Sequence, residues 1–358
     1  MINVTKTFLP PQTEYTAILK RAWEKGWITN RGVLVEELEE KLKTYLGVPH
    51  IIATTNGTLP LQIAIKALGL KSEIITTPFS YVATTASIVW EGCTPVFVDI
   101  HPEYLTIDES KIEAAITTNT TAILATHVFG NPCHLEAIET IAKQHNLKVI
   151  YDAAHSFGVT YKGKSIFNYG DVSTCSFHAT KLFHTGEGGA LFANDKSLHN
   201  KLFYHHNFGH NGPEAFCGIG INAKMSELQG AMGLAVFSYF ETILKERKTI
   251  VDTYNEAFIE TGIQLIKLRE NTKWNHSYYP IIFQNEKLLL KVKSALEKAN
   301  IFPRRYFYPS LDTLAYVRPN ACLTSQKIAA TILCLPLYVG LKEIDVHRII
   351  NIVKTSLC

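Results

Sequence analysis

Short apolar runs alternate with helical patterns along the first two thirds of the chain. The first clear helix is predicted over residues 33–46, where Leu34, Leu38, Leu42 and Leu46 recur four positions apart before a glycine. Downstream lie short runs rich in β-branched or aromatic residues, and Gly, Pro, Asn or Asp bounds each run. These runs predict strands near residues 50–55, 73–78, 94–100, 121–130, 147–154, 173–177 and 189–195.

Helical patterns fill the gaps between several of these strands, as at residues 59–70 and 134–147. Strands that are apolar throughout and alternate with helices are typical of a mostly parallel sheet with helices on both faces. The pattern therefore predicts an α/β fold, with a large domain over residues 1–240.

The pattern changes after residue 225. Residues 225–258 read as a long helix that is bent or broken once. The tail that follows mixes a strand at residues 276–283 with helices at residues 286–300 and 343–357. We therefore predict a smaller α+β domain over residues 241–358.

Composition places the chain among ordinary globular proteins. Of its 358 residues, 46% are hydrophobic and 19% are charged, which suits a large core and a second domain. The formal net charge of +3 gives no broad basic surface, so nucleic acid is not an expected partner. No stretch approaches the roughly 18 apolar residues of a membrane span. Residues 1–15 lack the basic and apolar segments of a signal peptide.

The cysteines are scattered along the chain and form no C-x-x-C pair. An odd, irregular set is typical of reduced thiols in a cytoplasmic protein and not of a disulfide framework or a zinc site. We therefore predict a cytoplasmic protein without a metal site. The cysteines are Cys93, Cys133, Cys175, Cys217, Cys322, Cys334 and Cys358.

Three segments that follow predicted strands carry candidate chemistry, because ligands of open α/β sheets bind beyond the carboxyl ends of the strands. In the first segment, Asn56, Gly57 and Thr58 form a turn before a helix that has Pro60 in its first turn. Thr58 is the expected N-cap, and backbone N–H groups at the start of a helix attract anions. Taken alone, the segment fits either an ordinary helix start or a phosphate site.

In the second segment, Asp152 ends an apolar strand and His155 follows three residues later. A carboxylate at the end of a buried strand is costly unless it meets a cation or several donors. Asp152 either caps the next turn or acts as the counter-ion of a protonated ring nitrogen or a metal. The sequence has no tight cluster of His, Asp and Glu that would support a metal.

The third segment places Lys181 five residues after Ser176 and just before a turn with Gly186, Gly188 and Gly189. A lysine becomes a nucleophile when burial or a nearby cation lowers the pKa of its ammonium group. Pyridoxal phosphate needs such a lysine for a Schiff base, an acid at its pyridine nitrogen and donors around its phosphate. The three segments together supply these parts and predict a pyridoxal-phosphate enzyme.

With these segments the chain resembles the DegT/DnrJ/EryC1/StrS family of pyridoxal-phosphate sugar aminotransferases, which have the aspartate-aminotransferase fold (fold type I). The resemblance extends over nearly the whole chain. Its most specific parts are the Asp-Ala-Ala-x-x-x-Gly segment from Asp152 and the Ser-x-x-x-x-Lys…Glu-Gly-Gly segment from Ser176. The other matching segments are NRGVLVEELEEKL, NGTLPLQIAI, TTPFSYVATTASI, VFVDI, VFGNPC, GINAKMSELQGA and CLPLY.

The resemblance implies a role for each candidate residue. Lys181 would form the Schiff base and move the proton between the substrate carbon and the cofactor, and Asp152 would keep the pyridine nitrogen protonated. Tyr81 would stack on the cofactor ring. His155, at a position where many members have Gln, would donate to the phenolic oxygen of the cofactor. The phosphate would be held by Gly57, Thr58, Ser176 and, from the neighbouring subunit, Asn222.

The resemblance also implies the reaction. L-Glutamate would supply the amino group, and a nucleotide-linked keto-deoxysugar would receive it. The expected acceptor is dTDP-4-keto-6-deoxy-D-glucose and the expected product is dTDP-4-amino-4,6-dideoxy-D-glucose. Such enzymes take part in deoxyaminosugar and O-antigen biosynthesis, and a homodimer is expected, with each active site at the subunit interface.

Two related enzyme activities and one role without catalysis stay open as alternatives. They are amination of a 3-keto sugar, dehydration of a sugar, and a regulatory role that binds the cofactor without catalysis. Lys181 argues against dehydration, because the dehydratase branch of the family has His at that position.

Three further residues leave the substrate contacts open. Lys224 stands where many members of the family have Arg. Arg305 and Tyr308 either touch the sugar or its diphosphate, which an arginine fork suits, or pack at the domain junction.

Overall fold

The computed structural model of the protein describes residues 1–318 and 320–357, so Cys358, one of the predicted reduced cysteines, lies outside the described residues. The helices are α1 (Gln12–Lys25), α2 (Val33–Leu46), α3 (Leu59–Ala67), α4 (Val82–Trp90), α5 (Leu135–Gln144), α6 (Lys196–His205), α7 (Glu227–Phe237), α8 (Phe240–Phe258), α9 (Glu286–Lys298), α10 (Leu323–Thr331) and α11 (Glu343–Leu357). The strands are β1 (Ile2–Asn3), β2 (Ile51–Thr54), β3 (Glu73–Thr76), β4 (Thr94–Phe97), β5 (Thr120–Thr126), β6 (Lys148–Asp152), β7 (Thr160–Tyr161), β8 (Lys164–Ser165), β9 (Val172–Ser176), β10 (Gly189–Phe192), β11 (Gln264–Leu265), β12 (Thr272–Lys273), β13 (Tyr279–Ile282), β14 (Ile301–Phe302) and β15 (Ile332–Leu335).

The main sheet has, within the described residues, seven strands in the order β2-β10-β9-β6-β5-β3-β4. Strands β9, β6, β5, β3 and β4 are parallel to their neighbours in that series, whereas β10 runs antiparallel to both β2 and β9. The carboxyl ends of β2, β3, β5, β6 and β9 therefore lie along one edge. This topology confirms the predicted mostly parallel sheet and brings the three candidate segments to the same edge.

Apolar side chains cover both faces of the main sheet, as strands that are apolar throughout require. In β6, Val149 and Tyr151 pack with α2, α5 and α7 on one face. Ile150 points to the opposite face and packs with α3. The predicted arrangement of one sheet between helical layers is thus confirmed.

Helix α2 shows how the apolar pattern defines an element. Leu34, Leu38, Leu42 and Leu46 are all buried, so the four-residue spacing marks the face that enters the core. The helix ends at Gly47, which adopts the left-handed conformation with φ of +60°. The predicted helix and its C-terminal glycine are confirmed.

A second core lies in the C-terminal part of the chain. The predicted break in the long helix lies at Ser238 and Tyr239, between α7 and α8. Helices α8, α9 and α11 share this core with the 3-stranded sheet β11-β13-β15, and β1 pairs in parallel with β14. The domain bounds 1–240 and 241–358 remain a prediction.

Three global expectations concern membranes, metals and thiols. Across the part of the chain that the structure describes, no helix is both long and apolar enough to cross a membrane. The same residues contain no group of three or more His, Cys, Asp or Glu side chains placed to hold a metal ion. The described cysteines carry free thiols. The cytoplasmic location stays a prediction.

Candidate active site

A cavity of about 400 Å³ opens at the edge of the main sheet where the carboxyl ends of β2, β3, β6 and β9 meet. The loops after these strands form one wall, and residues 278, 304, 306 and 307 form the other. Asn222 lies outside the cavity. The predicted site residues that the cavity brings together are Gly57, Thr58, Tyr81, Asp152, His155, Ser176 and Lys181.

Asp152 ends β6, and its carboxylate lies in the cavity wall with only 6% of the residue exposed. Its Oδ2 accepts a hydrogen bond from Thr84 Oγ1 at 2.7 Å, and its Oδ1 accepts one from the backbone N–H of Ala154 at 3.1 Å. Burial raises the pKa of Asp152, whereas both donors and the charge of Lys181 oppose that shift. The carboxylate is therefore suited to meet a cationic N–H group in the cavity, while the Ala154 contact also fits the turn-capping role.

Lys181 lies in the loop that joins β9 to β10. The loop turns at Gly186, whose φ of +83° lies in the region that favours glycine. Lys181 Nζ donates a hydrogen bond to Tyr278 Oη at 3.2 Å. Burial lowers the pKa of Lys181, although Tyr306 and Asp152 oppose that shift. The shift favours the neutral amine, which is the form that attacks a carbonyl carbon or removes a proton.

The two histidines that flank Lys181 are both held by hydrogen bonds, one to the N-terminal segment and one within the loop. A ring nitrogen of His184 lies 2.6 Å from the carbonyl oxygen of Phe8, and burial lowers the pKa of His184. His178 lies in the cavity wall, where its Nδ1 is 2.8 Å from Thr180 Oγ1. Neither histidine takes the place of the lysine.

Gly57 allows two loops to approach each other closely. A Cβ on Gly57 would lie 2.7 Å from Ser176 Cβ and 2.8 Å from Ser176 Oγ, closer than van der Waals contact permits. Only glycine therefore lets the turn after β2 pack against the end of β9. The Ser176 hydroxyl is thereby placed beside the start of α3, where backbone N–H groups attract an anion.

The start of α3 is capped differently from the expectation. Thr58 occupies the N-cap position, but its side chain makes no capping hydrogen bond. The side chain of Asn56 caps instead, because its Oδ1 accepts from the backbone N–H groups of Thr58 and Leu59, each at 2.9 Å. The predicted N-cap position of Thr58 is confirmed, but Asn56 supplies the capping side chain, since the φ and ψ of −85° and −45° place Thr58 already in the helical region.

His155 is buried in the wall of the same cavity as Asp152, and one nitrogen of its ring accepts a hydrogen bond. The backbone N–H of Phe129 donates to His155 Nδ1 at 3.1 Å, and burial lowers the pKa of His155 well below its usual value. In a neutral ring that accepts at Nδ1, the proton sits on Nε2. His155 is thus a neutral N–H donor, as its expected contact with a phenolic oxygen requires.

Sequence reasoning missed the wall that the C-terminal part of the chain supplies. Arg304 is exposed there, and its guanidinium lies 4.6 Å from the centre of the Tyr306 ring. Arg305, which the sequence had singled out, points away and pairs with Glu286 at 2.6 Å. Its guanidinium also stacks on Tyr308, 3.6 Å from the ring centre, so both residues fit the packing alternative. The alternation of side chains along an extended segment separates neighbours in this way.

The other missed residues had only weak signals. Asn56 was part of the recognised turn, but its type suits a turn without any ligand. Tyr278 and Phe307 stand in apolar, aromatic segments that read as core, and no pattern near them points to the distant sheet edge. The fold alone brings Tyr278 to Lys181.

Asn222 and Lys224 lie on the surface next to the start of α3. Asn222 shares a shallow hollow with Thr58 and Trp90, and its Oδ1 accepts from Lys224 Nζ at 2.7 Å. The residue is exposed, so it is available to another molecule. A phosphate contact across a subunit boundary stays a prediction.

These residues fit pyridoxal phosphate on chemical grounds. The cavity offers a buried carboxylate for the ring nitrogen, a lysine of lowered pKa for the aldehyde and a neutral N–H donor at His155 for the phenolic oxygen. The Ser176 hydroxyl, which the close approach at Gly57 places beside the start of α3, suits the phosphate.

Comparisons with known proteins agree with this chemistry. Residues 12–354 match the DegT/DnrJ/EryC1/StrS aminotransferase family. A dTDP-4-amino-4,6-dideoxy-D-glucose transaminase of Shigella dysenteriae is 41% identical, over 99% of this chain and 98% of the relative. A transaminase of the same name from Escherichia coli is 38% identical, over 97% and 96% of the two chains. The crystal structure of DesI in the presence of its TDP-sugar product superposes with a TM-score of 0.94 at 29% identity, over 99% of this chain and 93% of that one.

The matches cover nearly the whole chain, and the superposition on solved aminotransferases extends over 96–99% of it. They also agree with the predicted cofactor and reaction type. The chain therefore belongs to the DegT/DnrJ/EryC1/StrS aminotransferase family, as an aminotransferase whose cofactor is pyridoxal phosphate.

Proposed function

We propose that the protein transfers the amino group of L-glutamate to dTDP-4-keto-6-deoxy-D-glucose and so forms dTDP-4-amino-4,6-dideoxy-D-glucose. The observation that carries this proposal is the identity of 41% and 38%, along nearly the whole chain, with two transaminases named for that product. The cavity adds chemical support, because its lysine, its buried carboxylate and the helix start lie together in the wall.

Lys181 and Asp152 carry the proton chemistry in this proposal. When bound, pyridoxal phosphate supplies an electron-accepting ring and an aldehyde group that carries the amino group from donor to acceptor. Lys181 Nζ removes the proton from the amino-bearing carbon of glutamate and later delivers a proton to carbon 4 of the sugar. Asp152 holds a proton on the pyridine nitrogen through its charged carboxylate.

The other proposed residues bind and orient. Gly57, Thr58 and Ser176 hold the phosphate, and the exposed ring of Tyr81 stacks on the cofactor face. His155 donates from Nε2 to the phenolic oxygen. The carboxylates of glutamate and the diphosphate of the sugar need a cation, and Arg304 in the cavity wall presents one.

Absorption spectroscopy of the purified protein with pyridoxal phosphate tests the proposal. We expect a visible band from the cofactor joined to Lys181, its loss when L-glutamate is added, and its return when dTDP-4-keto-6-deoxy-D-glucose follows. Mass spectrometry of the product then identifies the aminated sugar, and NMR locates the amino group at carbon 4. D-Glutamate serves as the matched control for the first step.

Each outcome of that experiment separates the proposal from an alternative. Loss of the band without its return rejects this sugar, and a 3-keto nucleotide sugar that restores the band identifies a 3-keto aminotransferase. Product that has lost oxygen without gaining nitrogen identifies a dehydratase. A band that no amino donor changes identifies a cofactor-binding protein without this catalysis, and absence of the band contradicts the role of Lys181.

We also propose that the protein acts as a homodimer with each active site at the subunit interface. Asn222 lies outside the cavity of its own chain but beside apolar residues that face solvent, with Trp90 81%, Ile219 74% and Ile221 38% exposed. Side chains of this kind grouped on a surface are typical of an interface. In this proposal a second copy covers these residues, and Asn222 reaches the phosphate end of its partner's cavity.

A heterodimer of Lys181→Ala and Asn222→Ala subunits, isolated with two affinity tags, tests this arrangement. If Asn222 acts on the partner's site, one site keeps both residues, and the heterodimer should show about half of wild-type kcat. A heterodimer of Lys181→Ala with wild type is the matched reference for one intact site. If Asn222 acts within its own chain, both sites stay defective and the activity does not rise above that of Asn222→Ala alone.

The location in the cytoplasm and a role in O-antigen biosynthesis stay predictions. The free thiols of the described cysteines are compatible with the first. The second depends on the sugar product, which the experiments above identify.

A further inference from the structure

A chain of buried hydroxyl groups ends on the carboxylate of Asp152. Thr84 Oγ1 donates to Asp152 Oδ2 at 2.7 Å, Ser80 Oγ lies 2.7 Å from Thr84 Oγ1, and Thr126 Oγ1 donates to Ser80 Oγ at 3.1 Å. Thr84 is 0%, Ser80 1% and Thr126 3% exposed, so water does not compete for these hydrogen bonds. The contacts form a continuous row from Thr126 to the site.

The row has a single direction. A hydroxyl group carries one proton, and an ionised carboxylate only accepts. The single hydroxyl proton of Thr84 is therefore donated to Asp152. Ser80 must then donate to Thr84, and Ser80 in turn accepts from Thr126. Each donor in such a row polarises the next, which strengthens the last bond at the carboxylate.

Three separate elements contribute these hydroxyl groups, and the fold fixes each one. Thr126 ends β5 directly opposite Asp152 in the parallel register of β5 and β6. Ser80 lies in the loop after β3, and Thr84 is in the first turn of α4. The row thus also fixes the position of the carboxylate relative to the edge of the sheet.

We propose that Thr84, supported by Ser80 and Thr126, is a positioning residue that keeps Asp152 ionised and so keeps the proton on the pyridine nitrogen of the cofactor. This inference rests on the role proposed above for Asp152. It gives a function to Thr84, Ser80 and Thr126, none of which lines the cavity. The positive charge of Lys181, the cation that faces Asp152, acts in the same sense.

Thr85 provides a matched control on the same helix. It is 0% exposed, like Thr84, but its Oγ1 has no hydrogen-bond partner among the described residues. Thr84→Val and Thr85→Val make the same chemical change at equal burial. Only Thr84→Val removes a donor from Asp152.

The test compares these variants as holoenzymes reconstituted with pyridoxal phosphate labelled with ¹⁵N in the ring. The ¹⁵N chemical shift reports directly whether the ring nitrogen carries a proton, and kcat is measured on the same samples. We expect Thr84→Val to move the shift toward the unprotonated ring and to lower kcat about 10- to 100-fold relative to Thr85→Val. We expect Thr126→Val, farther along the row, to act in the same direction by about two- to fivefold.

Thr84→Ser keeps the hydroxyl group. Its ¹⁵N shift should match that of wild type, and its kcat should lie within about threefold of wild type. If Thr84→Val does not fold, Ser80→Ala removes the second donor and takes its place in the comparison. The inference is overturned if the variants of the row match Thr85→Val in both readouts while wild type has a protonated ring nitrogen. An unprotonated ring nitrogen in wild type overturns the role of Asp152 itself, and this inference with it.

Discussion

Replacement of Lys181 by alanine should lower kcat at least about 10⁴-fold and leave the protein folded. The variant loses the amine that joins the cofactor and the base that moves the proton, and no other lysine lines the cavity of the described chain. The fold should persist because, among the residues that the structure describes, the Nζ of Lys181 makes only one side-chain hydrogen bond, to Tyr278. Single-turnover kinetics with L-glutamate and circular dichroism measure the two effects.

One further variant separates the chemistry of Lys181 from its charge, and a second serves as a control. Lys181→Arg keeps a cation near Asp152 but supplies no neutral amine, so it should be as inactive as Lys181→Ala. Lys164→Ala removes an exposed lysine of β8 and should retain wild-type kcat. Activity of Lys181→Ala within tenfold of wild type would contradict the assignment.

The strands of the main sheet were predictable from sequence. Most strands of the main sheet are buried on both faces, so their residues form a largely apolar run that ends where the chain leaves the sheet. Candidate site residues lie at those ends, as Asp152 does directly after Ile150 and Tyr151 in β6. The sequence pattern therefore indicates both the strand and the site residue at its carboxyl end.

The orientation of β10 was beyond such reasoning. Its run, Gly189–Phe192, is as apolar as those of the parallel strands, yet it is antiparallel to β2 and β9. The direction of a strand depends on the connection that precedes it. The loop with Lys181 leads from β9 into β10 without a crossover helix, so the two strands are antiparallel. The same short return places Lys181 over the sheet edge.

The second wall of the cavity was unpredictable for a different reason. Tyr278 and Arg304 lie far along the chain from the sheet edge, and no periodic pattern links them to it. Arg247 helps to place the segment before Tyr278, because its buried guanidinium donates to the carbonyl groups of His276 and Ser277 at 2.9 and 2.6 Å. In the sequence, Arg247 stands within an amphipathic helix and reads as a surface charge.

The hydroxyl row behind Asp152 was equally hidden. Threonine and serine are common in loops and helix starts, so Ser80 and Thr84 carry no signal by type. Their function depends on a contact across 68 residues, between Thr84 and Asp152. Contacts of this kind become visible only when the strands are in register.

Replacement of Asp152 by asparagine is the second change with a large expected effect. We expect kcat to fall about 10³-fold, because leaving one partner of a buried charge pair alone costs about 3–5 kcal/mol and about 1.36 kcal/mol corresponds to tenfold in rate. The ring nitrogen should lose its proton in the ¹⁵N spectrum. The affinity for pyridoxal phosphate, measured by fluorescence titration, should fall as well.

The same variant should not destabilise the protein without cofactor. Burial raises the pKa of Asp152, so above that pKa its ionised form lowers the free energy of unfolding, and the neutral amide of Asp152→Asn removes this penalty. The melting temperature of the cofactor-free variant at pH 8 should equal or exceed that of wild type. Asp195→Asn, at the exposed N-cap of α6, is the matched control and should change neither kcat nor melting temperature. A stable, fully active Asp152→Asn enzyme would show that the carboxylate only caps its turn, whereas the expected loss of activity without loss of stability would separate its chemical role from its structural one.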